Sequence, residues 1–517
     1  MRVIDLLDYG MSRMPQRPCV VDDRIRYTHA EVRVLSHRVA NGLHAAGLRR
    51  GARVAVYSPN VALTLVAMIG LFRAGAVWLP VQTRNPLAEN IAFLAENDCE
   101  FVFFHSSVAA DAQAMRAAVP SLRGTVCFDT PSDGTPCFDD WAAGFAPDFP
   151  DDAHGPEDLA WIKGTGGTTG RPKSVMICQR NAEALFVNFN LCMPATDGHH
   201  INLAAAPVTH GAGNIALCCL FSGGTVVLLE RADPARILDA IEQHRITTMF
   251  LPPTVIYSLL ATPAVRARDY SSLRYFIYAA APMSARKLAE AIDVFGPVMA
   301  QAWGQTEAPL ICTYMSPADH AVADPGHRAQ RLTSCGRPSP LTRVAVMDDD
   351  GRLLPANERG ELVVRGNLVM KGYHKRPEEN EAVTRHGWHH TGDVGYRDDE
   401  GYFYIVDRKK DMIISGGFNI FPSEIEQVLW QHPAVLDCAV VGVPDEKWGE
   451  AVKAVIELKP GMLATEAEFR EHCRTSLGGL KTPKSFEFWA SLPRSPLGKV
   501  LKREIRERYW AGRERRV

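Results

Sequence analysis

Two textures of apolar and polar positions divide the chain. From about residue 20 to 330, short runs rich in β-branched side chains alternate with longer amphipathic stretches. Residues 53–57, 76–81, 101–105, 225–230, 247–251 and 275–279 read as strands, and 63–72 and 235–244 as helices. Such alternation predicts βαβ units with parallel sheets covered by helices, whose ligands bind in loops beyond the strands' carboxyl ends. The uncharged stretch between His210 and Glu230 carries Asn214, Ser222 and Thr225, and reads as a buried helix, turn and strand rather than a membrane span.

From about 335 to 407 the pattern changes. Residues 344–347, 360–364 and 402–406 are short strands, and Asp350-Gly351 and Glu400-Gly401 are turn pairs, so antiparallel hairpins are expected. After Asp407 comes the charged knot Arg408-Lys409-Lys410-Asp411, and then a smaller α+β unit. There Ser423 is placed to cap a helix running to Gln431, with Ile425, Val428 and Leu429 on one face. Residues 438–443 and 451–458 alternate as paired strands. The basic stretch 502–516 reads as a solvated terminal helix, because Glu504, Glu507 and Glu514 interleave its arginines.

At 517 residues, the chain has room for about three domains of roughly 150 residues each. Lys+Arg number 57 and Asp+Glu 59, giving a net charge of −2. That balance speaks against a nucleic-acid binder that works by neutralising phosphates. Asp5 and Asp8 interrupt any secretory apolar core, and the twelve cysteines contain no Cys-x-x-Cys, so reduced thiols in a cytoplasm are expected. The adjacent pairs His199-His200 and His389-His390 suit loop or core positions better than one shared metal ion.

The segment Lys163-Gly164-Thr165-Gly166-Gly167-Thr168-Thr169-Gly170-Arg171-Pro172-Lys173 has the composition of a phosphate cradle: glycines for close backbone approach, hydroxyls and a lysine as donors. It lacks the Gly-Lys-Ser/Thr run of a Walker loop, since Arg171 and Pro172 separate Gly170 from Lys173. On spacing alone, a surface turn rich in Gly and Thr remains an equal reading.

The full string 165–173 resembles the phosphate loop of the adenylate-forming superfamily, the family of acyl- and aryl-CoA synthetases, luciferase and peptide-synthetase adenylation domains. Five further segments resemble that family's motifs in its order: Gln301-Ala302-Trp303-Gly304-Gln305-Thr306-Glu307, Trp388–Asp393, Tyr402–Asp411, Gly416–Glu426 and Pro493–Lys499. The resemblance implies an α/β fold: a large N-terminal ATP- and acid-binding domain, 1–409, of two βαβ-type subdomains plus a small distorted β-barrel at about 335–407. A small mobile α+β domain, 410–517, follows. It implies that Thr165, Gly166, Gly167, Thr168, Thr169, Gly170 and Lys173 hold phosphates, and that Glu307 binds Mg²⁺. Asp393 would take the ribose hydroxyls with Arg408 beside it. Ala281, Pro282, Gln301, Ala302, Trp303, Gly304, Gln305, Thr306 and Tyr404 would complete the nucleotide site. Lys499, Glu307 and Thr168 form the implied catalytic set, Lys499 relieving the repulsion between carboxylate and α-phosphate. Trp303 stands where the family usually has an adenine-stacking Tyr, Gly166 replaces a usual Ser, and Ser174 a usual Gly.

By the same resemblance, the small domain turns about Lys410, so that either Lys499 or the face Gly416-Gly417-Phe418 meets the site, the latter for coenzyme A. An acyl-CoA synthetase using ATP, Mg²⁺ and CoA is therefore expected, with transfer to a carrier-protein thiol or a non-catalytic nucleotide-binding regulator as alternatives. A homodimer is possible. The implied acyl pocket contains His210, Ala279, Ala280, Ala281, Trp303, Ala308 and Ile311. Residues 206–211 hold no carboxylate for an amino-acid ammonium, and no Arg or Lys is expected at the pocket, so the acid is read as a hydrophobic monocarboxylate, aryl, alicyclic or alkyl, with dicarboxylates disfavoured.

Overall fold

The computed structural model describes the chain except for residues 132–133, 151–154, 166–172, 196–197, 323, 496–499 and 512–517. Two large sheets form the body. One has seven strands, in the spatial order Gly372–Tyr373, Ser174–Cys178, Leu159–Gly164, Val77–Val81, Arg53–Tyr57, Phe101–Phe104 and Gly124–Cys127. Its last five strands run parallel, as the βαβ alternation predicts. The other sheet has nine strands and is parallel through Thr225–Leu228, Ile201–Ala204, Thr248–Leu251, Tyr275–Tyr278 and Met299–Gln305.

Helices Ala62–Arg73 and Gly211–Phe221 are apolar on nearly all sides, and their residues belong to one continuous core with both sheets. A helix with no polar face has to be enclosed, and these two are. The reading of 210–230 as helix, turn and strand is borne out by Gly211–Phe221 and Thr225–Leu228. Cys218 and Cys219 are buried thiols with pKa values pushed up by burial. Among the described residues no helix is long and apolar enough to cross a membrane.

The β-rich part is an open antiparallel sheet, Arg343–Met347, Gly360–Arg365, His389–Arg397 and Phe403–Arg408, rather than the expected distorted barrel. Four strands are too few to close around a core of side chains. The sheet instead leans on the nine-stranded one, through a bridge between Gly336 and Phe403. Beyond it, Ile413–Ser415, Phe418–Ile420, Val435–Asp445, Gly449–Leu458 and Ser485–Phe488 form a five-stranded sheet with its own core, covered by helix Pro422–Leu429.

Ser423 is not the cap of that helix. Phe421 holds the N-cap position, with Pro422 opening the first turn, as proline's fixed φ favours. Ser423 instead turns back: its N–H donates to Asp407 Oδ2 at 2.8 Å, and its hydroxyl donates to the Val406 carbonyl. The terminal helix spans Lys502–Trp510 among the described residues.

Candidate active site

The glycine- and threonine-rich segment joins two antiparallel strands, Leu159–Gly164 and Ser174–Cys178. Its base is closed by Thr165 N–H donating to the Lys173 carbonyl at 2.9 Å, and by Lys173 N–H donating to Thr165 Oγ1 at 3.3 Å. Gly166, Gly167, Thr168, Thr169 and Gly170 lie outside the described residues, as does Lys499.

From that base a chain of contacts leads across the cleft. Lys173 pairs with Glu379 and lies 4.8 Å from the Tyr373 ring centre. The Tyr373 hydroxyl donates to Glu307 Oε1 at 2.8 Å. Burial and the neighbouring Glu307 charge push the Tyr373 hydroxyl pKa up, so it remains a donor. Glu307 is thereby oriented with Oε2 unengaged among the described residues. Glu307 and Lys173 were expected here; Tyr373 and Glu379 were not. Tyr373 sits at the edge of the seven-stranded sheet, opposite Val175, a pairing over nearly 200 residues that no local pattern announces.

A second cluster surrounds Asp393. Asp393 and Arg408 are opposite each other in adjacent antiparallel strands. Arg408 Nε is 2.9 Å from Asp393 Oδ1, and Arg408 Nη1 donates to the Thr391 carbonyl at 3.1 Å. Trp303 Nε1 donates to Asp393 Oδ2 at 3.0 Å. Both carboxylate oxygens are therefore fixed, one by a guanidinium and one by an indole. A tyrosine in place of Trp303 has no donor at the indole N–H position.

Gln305 binds the same strand, donating to the Thr391 carbonyl at 3.2 Å, with Oε1 3.1 Å from His389 Nε2. His389 is a core histidine, as read; burial lowers its pKa to about 4. His200 is buried too, with Nδ1 2.8 Å from Thr248 Oγ1. Among the described residues no group of three His, Cys, Asp or Glu side chains could hold a metal ion.

Gly304 has a packing reason: a Cβ there would meet the Ala308 carbonyl oxygen at 2.7 Å and Leu310 backbone at 2.8 Å. Any side chain would force apart the hairpin that carries Trp303 and Glu307. Gln301 Oε1 accepts from the Tyr278 hydroxyl at 3.3 Å. Tyr404 is set apart from the cluster. It pairs across from Tyr396, stacks on that ring at 4.9 Å and donates to Asp398 Oδ2 at 2.9 Å. It precedes Arg408 by four positions along the strand, about 13 Å at the usual rise.

The residues expected at an acyl pocket come from several elements. Trp303, Ala308 and Ile311 are buried in the core between the sheets. Ala279, Ala280, Ala281 and Pro282 follow strand Tyr275–Tyr278 at its carboxyl end. Ala280 has φ +73°, a left-handed conformation that costs a non-glycine residue roughly 1–2 kcal/mol. His210 precedes helix Gly211–Phe221, and the Gln82 amide is 2.7 Å from its Nδ1. Burial first, and Lys163 second, lower the His210 pKa to about 3, so the imidazole is neutral.

Lys163 is thus a cation in electrostatic reach of His210, a residue beside which no Arg or Lys was expected. Lys163 is half-buried on strand Leu159–Gly164, just past the buried residues Ala160, Trp161 and Ile162. Its sequence signal was a charge directly after the apolar run Leu159-Ala160-Trp161-Ile162.

In the small domain, Gly416 (φ +58°) and Gly417 (φ +83°) form the two-residue turn between Ile413–Ser415 and Phe418–Ile420. Both residues at positive φ is the turn that glycine pairs favour. Trp448 lies against Gly416, and Phe418 is exposed. Lys410 lies between Arg408 and Asp411. There Lys409 N–H still donates to the Gly392 carbonyl at 2.8 Å, while Asp411 already pairs with Arg506 of the terminal helix at 3.0 Å.

Models of the AMP-binding enzyme family match residues 7–374, and of the AMP-binding enzyme C-terminal domain residues 424–499. The chain belongs to the AMP-binding enzyme family. It is 39% identical to feruloyl-CoA synthase from Amycolatopsis sp over 93% of this chain and 94% of that protein. Amide bond synthetase McbA from Marinactinospora thermotolerans matches the fold with a TM-score of 0.89 at 31% identity, covering 98% of this chain and all of McbA. ATP-bound MatB from Rhodopseudomonas palustris matches with a TM-score of 0.89 at 30% identity, covering 98% and 99% of the two chains. These likenesses extend over nearly the whole chain.

Proposed function

We propose that this AMP-binding enzyme is an AMP-forming acid–thiol ligase that activates a hydrophobic carboxylic acid with ATP and passes the acyl group to CoA. The observation that carries the reading is the pair of clusters on one cleft: Lys173–Tyr373–Glu307 at the base of the phosphate loop, and Trp303–Asp393–Arg408 beyond it. The likeness to a feruloyl-CoA synthase supports CoA over a carrier-protein thiol as acceptor.

In this reading Asp393, held by Trp303 and Arg408, accepts the two ribose hydroxyls, and the Trp303 ring flanks the adenine. Lys173 and the hydroxyls of Thr165, Thr168 and Thr169 face the departing phosphates. The Glu307 carboxylate suits Mg²⁺, a hard cation that prefers oxygen donors, with Tyr373 fixing one oxygen and leaving the other for the ion. Bound there, the ion would offset charge on the triphosphate. Lys499 serves the first half-reaction, in which the acid's carboxylate attacks the α-phosphorus and pyrophosphate leaves. In the second, the CoA thiolate attacks the acyl carbonyl and AMP leaves.

We place the domain boundary at 409/410, with rotation at Lys410. The turn Gly416-Gly417-Phe418 would then line the thiol's path. The test is pyrophosphate release with ATP, Mg²⁺ and acetate, malonate, benzoate, cinnamate, octanoate or palmitate, followed by CoA-dependent AMP release. Pyrophosphate with none of these acids would overturn the reading. Lys410→Pro, which fixes φ at the pivot, should keep pyrophosphate release and lose thioester formation. A normal thioester rate in that variant would remove Lys410 from the hinge.

A further inference from the structure

Lys163 has a place in the fold that the ATP-dependent steps leave unexplained. Along strand Leu159–Gly164, side chains alternate between two cores. Trp161 joins the core that also contains Val208, Ala212, Trp303, Ala308 and Ile311, while Ile162 joins the core on the other face. Lys163 is two residues past Trp161 and so faces the Trp303 side. Trp161 stands opposite Trp78 in the parallel neighbour Val77–Val81, and that neighbour runs on into Gln82, whose amide binds His210. Lys163 and Gln82 thus share one face at the carboxyl edge of the seven-stranded sheet, with His210 bound to Gln82.

No hydrogen bond or ion pair engages Lys163 among the described residues, and burial alone lowers its pKa, to about 7. No carboxylate counteracts that shift. A half-buried cation without a partner is costly, and elsewhere in this fold buried or half-buried cations have one: Arg73 with Asp8, Lys502 with Glu426, Arg494 with Asp437 and Glu457. The neighbours of Lys163 on that face of the sheet, Trp161, Val175 and Trp78, are apolar. An apolar pocket with one placed charge selects an apolar ligand with one matching group.

We propose that Lys163, beside the Gln82–His210 pair, is a specificity site for the acid, binding an acceptor oxygen remote from the reacting carboxylate. The preferred substrate is then an apolar acid with a second oxygen function, a phenolic hydroxyl or a distal acid group. This rests on the ligase reading and deepens it: the reacting carboxylate, ATP and CoA keep their places, and Lys163 chooses among acids.

The experiment compares matched acids in pyrophosphate release, 4-hydroxycinnamate against cinnamate and octanedioate against octanoate, for the wild type and Lys163→Met. In at least one pair the wild type should prefer the oxygenated acid. In that pair the kcat/KM ratio, oxygenated over parent, should fall about tenfold or more in Lys163→Met, because a site built around a polar partner discriminates strongly against its absence. The responding pair identifies the oxygen as phenolic or as a distal acid. Lys163→Gln, which keeps a donor, should fall between the two and guards against a folding defect of the methionine variant. A wild type without preference in either pair overturns the proposal. So does an unchanged ratio in Lys163→Met. A rise in KM for ATP that is equal for all acids also overturns it, by assigning Lys163 to the triphosphate. Turnover of the parent acids by the wild type in any of these cases leaves the ligase reading standing.

Discussion

Two half-buried lysines, Lys163 in the large domain and Lys502 in the terminal helix, solve the same electrostatic problem in opposite ways. Lys502 Nζ is 2.8 Å from Glu426 Oε1 and 2.9 Å from Oε2. Burial works against its charge, yet Glu426 and Asp407 hold its pKa above the ordinary lysine value. Asp407 is in turn bound by Ser423 N–H, and Asp411 by Arg506, so this cluster ties the last strand of the open sheet to the small domain. Lys163 has a burial cost and no carboxylate. The difference separates structure from recognition: a cation that holds the fold together has its anion in the sequence, whereas a cation that reads a ligand leaves that place open.

Lys499 sharpens the contrast most, since it is three residues before Lys502 in the chain. Lys499→Ala should reduce acyl-AMP formation by at least about two orders of magnitude, the usual effect of losing one transition-state donor. It should still convert supplied acyl-AMP and CoA to thioester. Equal loss of both steps would show that Lys499, like Lys502, is there for the fold.

Lys502→Met should act on stability. Removing one partner of an enclosed pair leaves the other charge uncompensated, at a cost of about 3–5 kcal/mol. The variant's small-domain transition should shift accordingly in urea. Adding Glu426→Gln should recover most of the loss, because the orphaned charge goes too. If the double variant is as unstable as the single one, packing rather than charge explains Lys502.

The sequence displayed one side of this comparison and concealed the other. The parallel strands were legible because both of their faces are buried, so unbroken apolar runs such as 53–57 mark them directly. Thr165, Lys173, Glu307, Asp393 and Arg408 were legible through ordered motifs, and the structure brings each to the cleft. The Ser423 cap failed because the helix opens one residue earlier, at Pro422, and Asp407, sixteen residues back in the sequence, binds the Ser423 N–H. The barrel failed because the strand count did not allow closure. Tyr373, Glu379 and the Lys163–His210 approach depend on pairings across the chain, which local pattern does not encode. Lys163 did leave a trace, a charge at the end of a buried strand, but without the fold nothing said which core it faced.

Trp303→Phe should have an intermediate effect on catalysis. Phenylalanine keeps a stacking face and removes the N–H that fixes Asp393 Oδ2. Losing a hydrogen bond to a charged group is worth about 1.5–3 kcal/mol, so kcat/KM for ATP should fall roughly tenfold or more. With 2′-deoxy-ATP the fall should be smaller, since that nucleotide already lacks one of the hydroxyls that the oriented carboxylate receives. Equal losses with both nucleotides would mean that Trp303 serves adenine by stacking alone, and that Asp393 needs only Arg408.

The smallest effect is on the free protein and has a definite sign. Lys163 has a pKa of about 7 in the fold against an ordinary 10.5. Below pH 7 it is charged in both folded and unfolded chains, and folding bears the full cost of enclosing the charge. Between pH 7 and 10.5 the folded chain has shed the proton while the unfolded chain retains it, so stability rises with pH and the cost fades. His210, the titratable group facing Lys163, is neutral throughout that range, its pKa lying near 3. Lys163→Met should therefore melt a few degrees above the wild type at pH 6–7, and the gap should close toward pH 10. For Lys502→Met, which breaks the Lys502–Glu426 pair, the variant should melt below the wild type at every one of these pH values. A gap for Lys163→Met that is constant from pH 6 to 10, or reversed in sign, would mean that Lys163 already has an anion in the free protein and that the two lysines do not differ in kind.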